Sequence, residues 1–396
     1  MTHPCGRPDD YAALAPETSD GPYALYRQLR EHHPVAWSSA WNGFWSLMKY
    51  EDVARAATDY RTFINSVQNV VPKVAFTGRR PPLHLDPPAH TPFRAVLNPL
   101  LSEGRVAMLE PTIRRLCGSL LAPLLAAGEC NLCEDFSSRL PVHVFAEWMG
   151  IPEGMGEPLR QAGRAFNVAV QSNIEAVVKE TSLALYAMAR ELIALRRNMP
   201  ADPQTDLTTA LLAARHLGEP LPEDLIIGCV RQVLVVGIIA PTVLIGSIGV
   251  HLSRDTALQQ RLRETPELLP RALEEFLRLY TPYRGFARTA NRDVEIRGCP
   301  IAAGEPVALN YASANRDEDV FENPDEFILD RPNIGQSLAF GRGPHHCPGA
   351  SLARLELRIA LEELLARTRT FSVIGPITRT RMPELGVLSV RMRFTQ

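Results

Sequence analysis

Cysteine is scarce: Cys5, Cys117, Cys130, Cys133, Cys229, Cys299 and Cys347 are the only seven in 396 residues. A sparse, odd-numbered set argues against a disulfide framework and fits a reducing, cytoplasmic compartment. Net charge is just as scarce, with 42 Lys and Arg against 44 Asp and Glu. No run of like charge forms a tail, so nothing points to nucleic acid. The first twenty residues lack the basic-then-apolar order of a signal segment. No stretch reads as a bilayer span: the longest candidate, 233–250, carries Pro241, follows Arg231 and Gln232, and reads as a buried helix, so no membrane association is expected. Internal repeats and low-complexity tracts are absent. What remains, at 45% apolar residues, is ample for one large core.

The most informative stretch is 340–349, Phe340-Gly341-Arg342-Gly343-Pro344-His345-His346-Cys347-Pro348-Gly349. Three glycines and two prolines in ten residues make it a loop. A helical pattern follows at once, with Leu352, Leu355 and Ile359 on one face. Cys347 therefore precedes a helix start, where unpaired N–H groups and the helix dipole favour a thiolate. A thiolate in a tight glycine loop, with backbone amides aimed at sulfur, suits an axial iron ligand.

Other stretches are legible by pattern. Residues 22–31 are helix-like, and two apolar runs within 34–48 flank Trp41-Asn42-Gly43, a hairpin signal. Residues 63–82 are irregular, a long loop of the kind that serves as a lid. His90 and Arg94, four apart after Pro87-Pro88, share a helix face suited to an anion. Residues 107–198 read as successive helices broken at Gly128, 150–154 and Asn173. Cys130 and Cys133 have Cys-x-x-Cys spacing, but no second ligand pair and no βαβ context supports zinc or redox chemistry. Residues 224–253 form the longest apolar helix. Glu275 and Arg278 sit three apart in apolar surroundings, where the two charges must find each other. Short strand signals reappear over 288–310. The pattern is mainly α, with a smaller β-rich region near 34–48 and 288–310, in a single domain over 1–396.

The loop 340–349 fits Phe-x-x-Gly-x-x-x-Cys-x-Gly and resembles the haem-binding loop of the cytochrome P450 family. The other landmarks follow the family's order. Resemblance implies the family's fold and haem b, with Cys347 on the iron, Phe340 and Gly349 in the loop, and propionates near His90, Arg94, Arg288 and His345. Glu275, Arg278 and Arg331 resemble its structural Glu-x-x-Arg set. The long helix departs from the family's Ala-Gly-x-Asp/Glu-Thr-Thr pattern: Gly237 matches, but Ile239 replaces the acid and Ala240 the alcohol. Pro241 frees the Gly237 carbonyl, so a kink holding water, or the hydroxyl of Thr242, is the expected substitute relay. Ser337 stands where many members carry histidine.

The implied reaction is monooxygenation of a hydrophobic small molecule with O2, by a bacterial-type soluble monomer. Its electrons would come from a ferredoxin docking near Arg342, Arg354 and Arg358. Rivals are peroxide-driven turnover, a non-monooxygenase reaction, and a haem-based sensor. Substrate candidates are Val70, Val71, Val74, Phe76, Val236, Ile239, Ala240, Phe286, Leu385 and Val387, with 166–173 as part of the roof. Arg284 and Lys73 are candidates for an acidic group, although such side chains more often reach solvent.

Overall fold

The computed structural model describes residues 11–13, 21–73, 76–152, 154–172 and 174–395. Helix accounts for 53% and strand for 15%. The first six helices are α1 (Tyr23–His32), α2 (Tyr50–Thr58), α3 (Thr91–Leu100), α4 (Glu103–Ala107), α5 (Glu110–Ala127) and α6 (Leu140–Met149). Next come α7 (Gly156–Ser172), α8 (Glu175–Asn198), α9 (Leu207–Ala213) and α10 (Glu223–Arg254). The last four are α11 (Thr256–Glu264), α12 (Leu269–Leu279), α13 (Tyr311–Ala314) and α14 (Ala350–Ala366).

Strands β1 (Val35–Ser38), β2 (Phe44–Leu47), β3 (Phe63–Ile64), β7 (Gly285–Ala290) and β10 (Pro306–Asn310) form one sheet in the order β1-β2-β10-β7-β3. The hairpin β1–β2 turns where Trp41, Asn42 and Gly43 all have positive φ. Two-stranded pairs are β5 (Arg215–His216) with β6 (Glu219–Pro220), and β8 (Val294–Ile296) with β9 (Cys299–Ile301). Both expected β regions are present. A third was not foreseen: β4 (Glu129–Asn131), β11 (Thr370–Arg379) and β12 (Val387–Thr395), in the order β11-β12-β4. Its signal was the alternation Val390, Met392, Phe394 inward and Arg391, Arg393, Thr395 outward.

Helix α10 is long and apolar enough to cross a membrane, but 78% of its most apolar window is buried. It serves as the core helix. Gly246 and Gly249 let neighbours reach its backbone: a Cβ at either would lie 2.6 Å from Cys133 Sγ or from Leu132 Cδ2. That explains the Cys-x-x-Cys spacing. Cys130 sits on β4 and Cys133 in the π-helical turn Leu132–Ser137. Burial pushes both thiols up to about 12, and no cluster of potential metal ligands occurs among the described residues.

Glu275 on α12 is wholly buried and holds two arginines. Arg278 donates to it at 2.8 and 2.7 Å, and Arg331 at 3.0 and 3.2 Å. The guanidiniums also donate to the carbonyls of Asn315, Pro324 and Glu322, tying the segment before the cysteine loop to α12. Glu275→Ala would strand two buried cations and is expected to cost about 3–5 kcal/mol, measurable as a shift of the urea midpoint.

Glu356 on α14 has no such partner. Its Oε1 is buried and unbonded, and burial pushes the carboxyl from 4.5 up to about 8. Between those values the folded state keeps a proton that the unfolded chain releases. This contribution to stability therefore falls as pH rises through the window and levels off above it. Glu356→Gln stays neutral and is expected to lose fewer degrees of melting temperature than the wild type from about pH 4.5 to 8.

Candidate haem site

Cys347 lies where the loop closes: its N–H donates to the Phe340 carbonyl at 2.8 Å, and α14 begins three residues later. Gly341 and Gly343 take left-handed φ of 68° and 73°. A Cβ at Gly343 would lie 2.7 Å from the Ala57 carbonyl, so the loop seats directly on α2. The free thiol departs from expectation. Burial raises its pKa, outweighing the Gly349 N–H and the charges of Arg94 and Arg354, which lower it. Loop and dipole alone do not make a thiolate; a bound cation does.

Four basic residues gather beside the loop. His90 and His345 rings meet edge-on at 4.7 Å. His90 Nε2 donates to the Pro344 carbonyl at 3.0 Å, which leaves Nδ1 buried without a partner. His345 Nε2 is likewise buried and unbonded. Arg94 donates to the His346 carbonyl at 2.8 Å. Arg288 is 3% exposed, and its recorded bond is to the adjacent Ala287 carbonyl at 2.9 Å. Burial, with Arg288 and His90 nearby, pushes His345 down to about 2. Among the described residues no carboxylate forms an ion pair with any of the four. Two arginines without a carboxylate partner, beside two histidines with orphaned ring nitrogens, fit a ligand that brings its own carboxylates.

Helix α10 supplies an apolar face. Within its buried length Val233, Ile239 and Ala240 are only partly covered, and Val236 is 43% exposed. Gln232, one turn before Val236, was not anticipated; it is buried with an unbonded side-chain carbonyl.

The chain as a whole has counterparts among known proteins. A sequence model of the Cytochrome P450 family matches residues 248–388. Cytochrome P450 109 of Bacillus spizizenii is 32% identical, over 87% of this chain and 84% of its own. Linalool 8-monooxygenase of Pseudomonas putida is 31% identical, over 92% and 93%. The chain belongs to the cytochrome P450 family. The structure of cytochrome P450 CYP109Q5 from Chondromyces apiculatus superposes with a TM-score of 0.87 at 28% identity, over 98% of both chains. P450s hold haem b through a cysteine thiolate, and the residues around Cys347 fit that group.

Several expected P450 site residues are placed differently. The Thr242 hydroxyl donates to the Ile238 carbonyl at 2.7 Å and the Ser137 carbonyl at 2.9 Å, away from the uncovered face. Helix α10 runs unbroken through Pro241. The flank at Gly237 is filled by Phe145, whose ring carbon would lie 1.8 Å from a Cβ there. Phe76 is 71% exposed, Val74 lies outside the described residues, and Leu385 and Val387 are buried in core packing. Val71 is buried too, whereas Phe286 is half-buried between Tyr283 and Tyr311. Arg284 does not reach solvent; it donates to the Tyr26 hydroxyl and the Glu384 carbonyl.

Each charged hydrogen bond to a propionate is worth about 1.5–3 kcal/mol. Arg288→Leu is therefore expected to weaken haem retention about 10- to 100-fold. Haem transfer to apomyoglobin measures this, and the apoprotein should fold normally.

Proposed function

We propose that this P450 is a monooxygenase acting on an organic molecule with an apolar body. It would put one atom of O2 into the substrate and release the other as water, consuming two electrons and two protons. The observation that carries the reading is the half-buried Cys347 beside four basic residues that no carboxylate pairs among the described residues, with an apolar helix face partly uncovered. Haem bound at Cys347 would supply the O2 activation, for which thiolate donation favours O–O cleavage.

The chain's own residues would do the rest. His90, Arg94, Arg288 and His345 hold the propionates. The Nδ1 of His90 can donate to a carboxylate only when the ring is protonated, and an anion there supports that state. Val236, Ile239, Ala240 and Phe286 present apolar surface to substrate. Relatives named for linalool oxidation and for mycinamicin IV hydroxylation and epoxidation support an apolar organic substrate. So does a neighbour of 27% identity and TM-score 0.84, CYP109E1 from Bacillus megaterium, whose structure contains testosterone.

The redox partner is proposed to be a ferredoxin reaching the loop at 340–349. Its electrostatic basis is narrower than the sequence implied. Arg354 is paired with Glu274 at 2.6 Å, and Arg358 with Glu362 and Glu110 at 2.8 and 2.7 Å.

Ile239 and Ala240 also favour a second reading, peroxide-driven turnover, in which hydrogen peroxide brings both electrons and both protons and none need be drawn from solvent. The reduced carbon-monoxide spectrum is expected at the thiolate position in wild type and lost in Cys347→Ala. Product formation with NADH, ferredoxin reductase and ferredoxin is expected to exceed that with hydrogen peroxide; the reverse overturns the monooxygenase reading.

A further inference from the structure

A second group of buried cations lies away from the cysteine loop. Arg231, on α10, is 0% exposed. Its Nη2 donates to Ser182 Oγ at 3.0 Å, and its guanidinium lies 4.4 Å from the Phe166 ring centre and 5.8 Å from that of Tyr186. Its Nε and Nη1 are buried with no partner. Arg80, 7% exposed, reaches His84 Nε2 at 2.9 Å. Backbone packing forces the group together: a Cβ at Gly228 of α10 would lie 1.9 Å from the Arg79 carbonyl oxygen.

Two arginines and a neutral histidine thus share one region, and among the described residues no carboxylate forms an ion pair with them. Asp224, the acid that acts on Tyr186, is exposed. Burial and mutual repulsion push His84 down to about 2 and Arg80 down to about 10. Other buried arginines do have a carboxylate partner, as Arg196 has in Asp206 at 2.9 Å and Arg278 in Glu275 at 2.7 Å. Uncompensated buried charge is costly, and binding sites are where folds retain it.

We propose that Arg80, His84 and Arg231 bind the anionic end of the substrate. The substrate is then an organic acid whose oxyanion enters between α7, α8 and residues 77–84. Its apolar body then passes round α10 by way of Gln232 toward Ala240. The proposal rests on reading the uncovered face of α10 as the substrate face. Arg231 itself faces the side of α10 that carries Val235 and Ile238, which pack at Gly163 of α7; Gln232, about 100° further round the helix, stands one turn before Val236 and leads to the uncovered face. Nine residues at about 1.5 Å rise place the charge roughly 13 Å from Ala240 along the axis.

Spin-state titration of the holoenzyme tests this, using straight-chain carboxylic acids, their methyl esters and alkyl sulfates of matched length. At least one acid or sulfate is expected to bind about 10- to 100-fold more tightly than the matched ester. Acid against sulfate tells which oxyanion fits. Arg231→Met and Arg80→Met should each erase most of that preference and leave ester binding unchanged. Ligand-free Arg231→Met should melt a few degrees higher, because an unpaired buried charge has gone; a purely structural arginine would give a lower melting temperature. Equal binding of acids and esters, with a normal thiolate carbon-monoxide spectrum, overturns the anion site alone. An abnormal spectrum overturns the underlying haem reading and this proposal with it.

Discussion

A charge taken out of water must meet another charge, and this fold is arranged by how each buried arginine meets that demand. Arg278 and Arg331 share Glu275 and spend their remaining donors on carbonyls of the chain leading to the cysteine loop. That network is closed within the protein and is architectural. The cations beside Cys347 and those beside Arg231 lack such closure among the described residues. The same physics that makes the first group structural makes the other two incomplete without a ligand. The distinction depends on partners rather than on burial, since Arg278, Arg288 and Arg231 are all nearly inaccessible.

Helix α10 connects these regions because its surface is worn smooth where neighbours need backbone contact. Arg79 meets Gly228, Phe145 meets Gly237, Cys133 meets Gly246 and Leu132 meets Gly249. Each approach fixes an element against the helix at a distance a larger residue would forbid. Between them, the face at Val236 and Ala240 is only partly covered by protein. A helix this apolar would otherwise bury that face, so the exposure of Val236 marks space reserved by the fold.

The loop around Cys347 was legible because its ten residues are contiguous and its glycines are demanded by left-handed backbone and by contact with Ala57. Glu275 and Arg278 were legible because three-residue spacing on a helix already makes them neighbours. The β4-β12-β11 sheet was harder: β11 carries Gly375 and Pro376, and its register shifts between Val373 and Ile377. The Arg80, His84 and Arg231 group had no local signal at all. About 150 residues separate its parts, and only the packing of residues 77–84 on Gly228 unites them. The basic patch on α14 was over-read, since sequence lists arginines without showing Glu274, Glu110 and Glu362 against them.

The position of hydroxyl groups on α10 bears on how protons reach the substrate face. One residue turns a helix by about 100°, so Thr242 lies about 200° around from Ala240. Its hydroxyl is held by Ile238 and Ser137, and Ser137 Oγ in turn donates to the Thr242 carbonyl at 3.1 Å. Turning it toward Ala240 would break those buried bonds without bringing Oγ to the other flank. Ile239 and Ala240 have no proton to give. On the uncovered face, then, this helix offers shape and apolar surface, and proton donors must come from solvent, from the substrate or from another element. This makes the face more permissive toward bulky apolar groups than one carrying an acid and an alcohol, because at Val236, Ile239 and Ala240 it leaves no polar side chain to be satisfied.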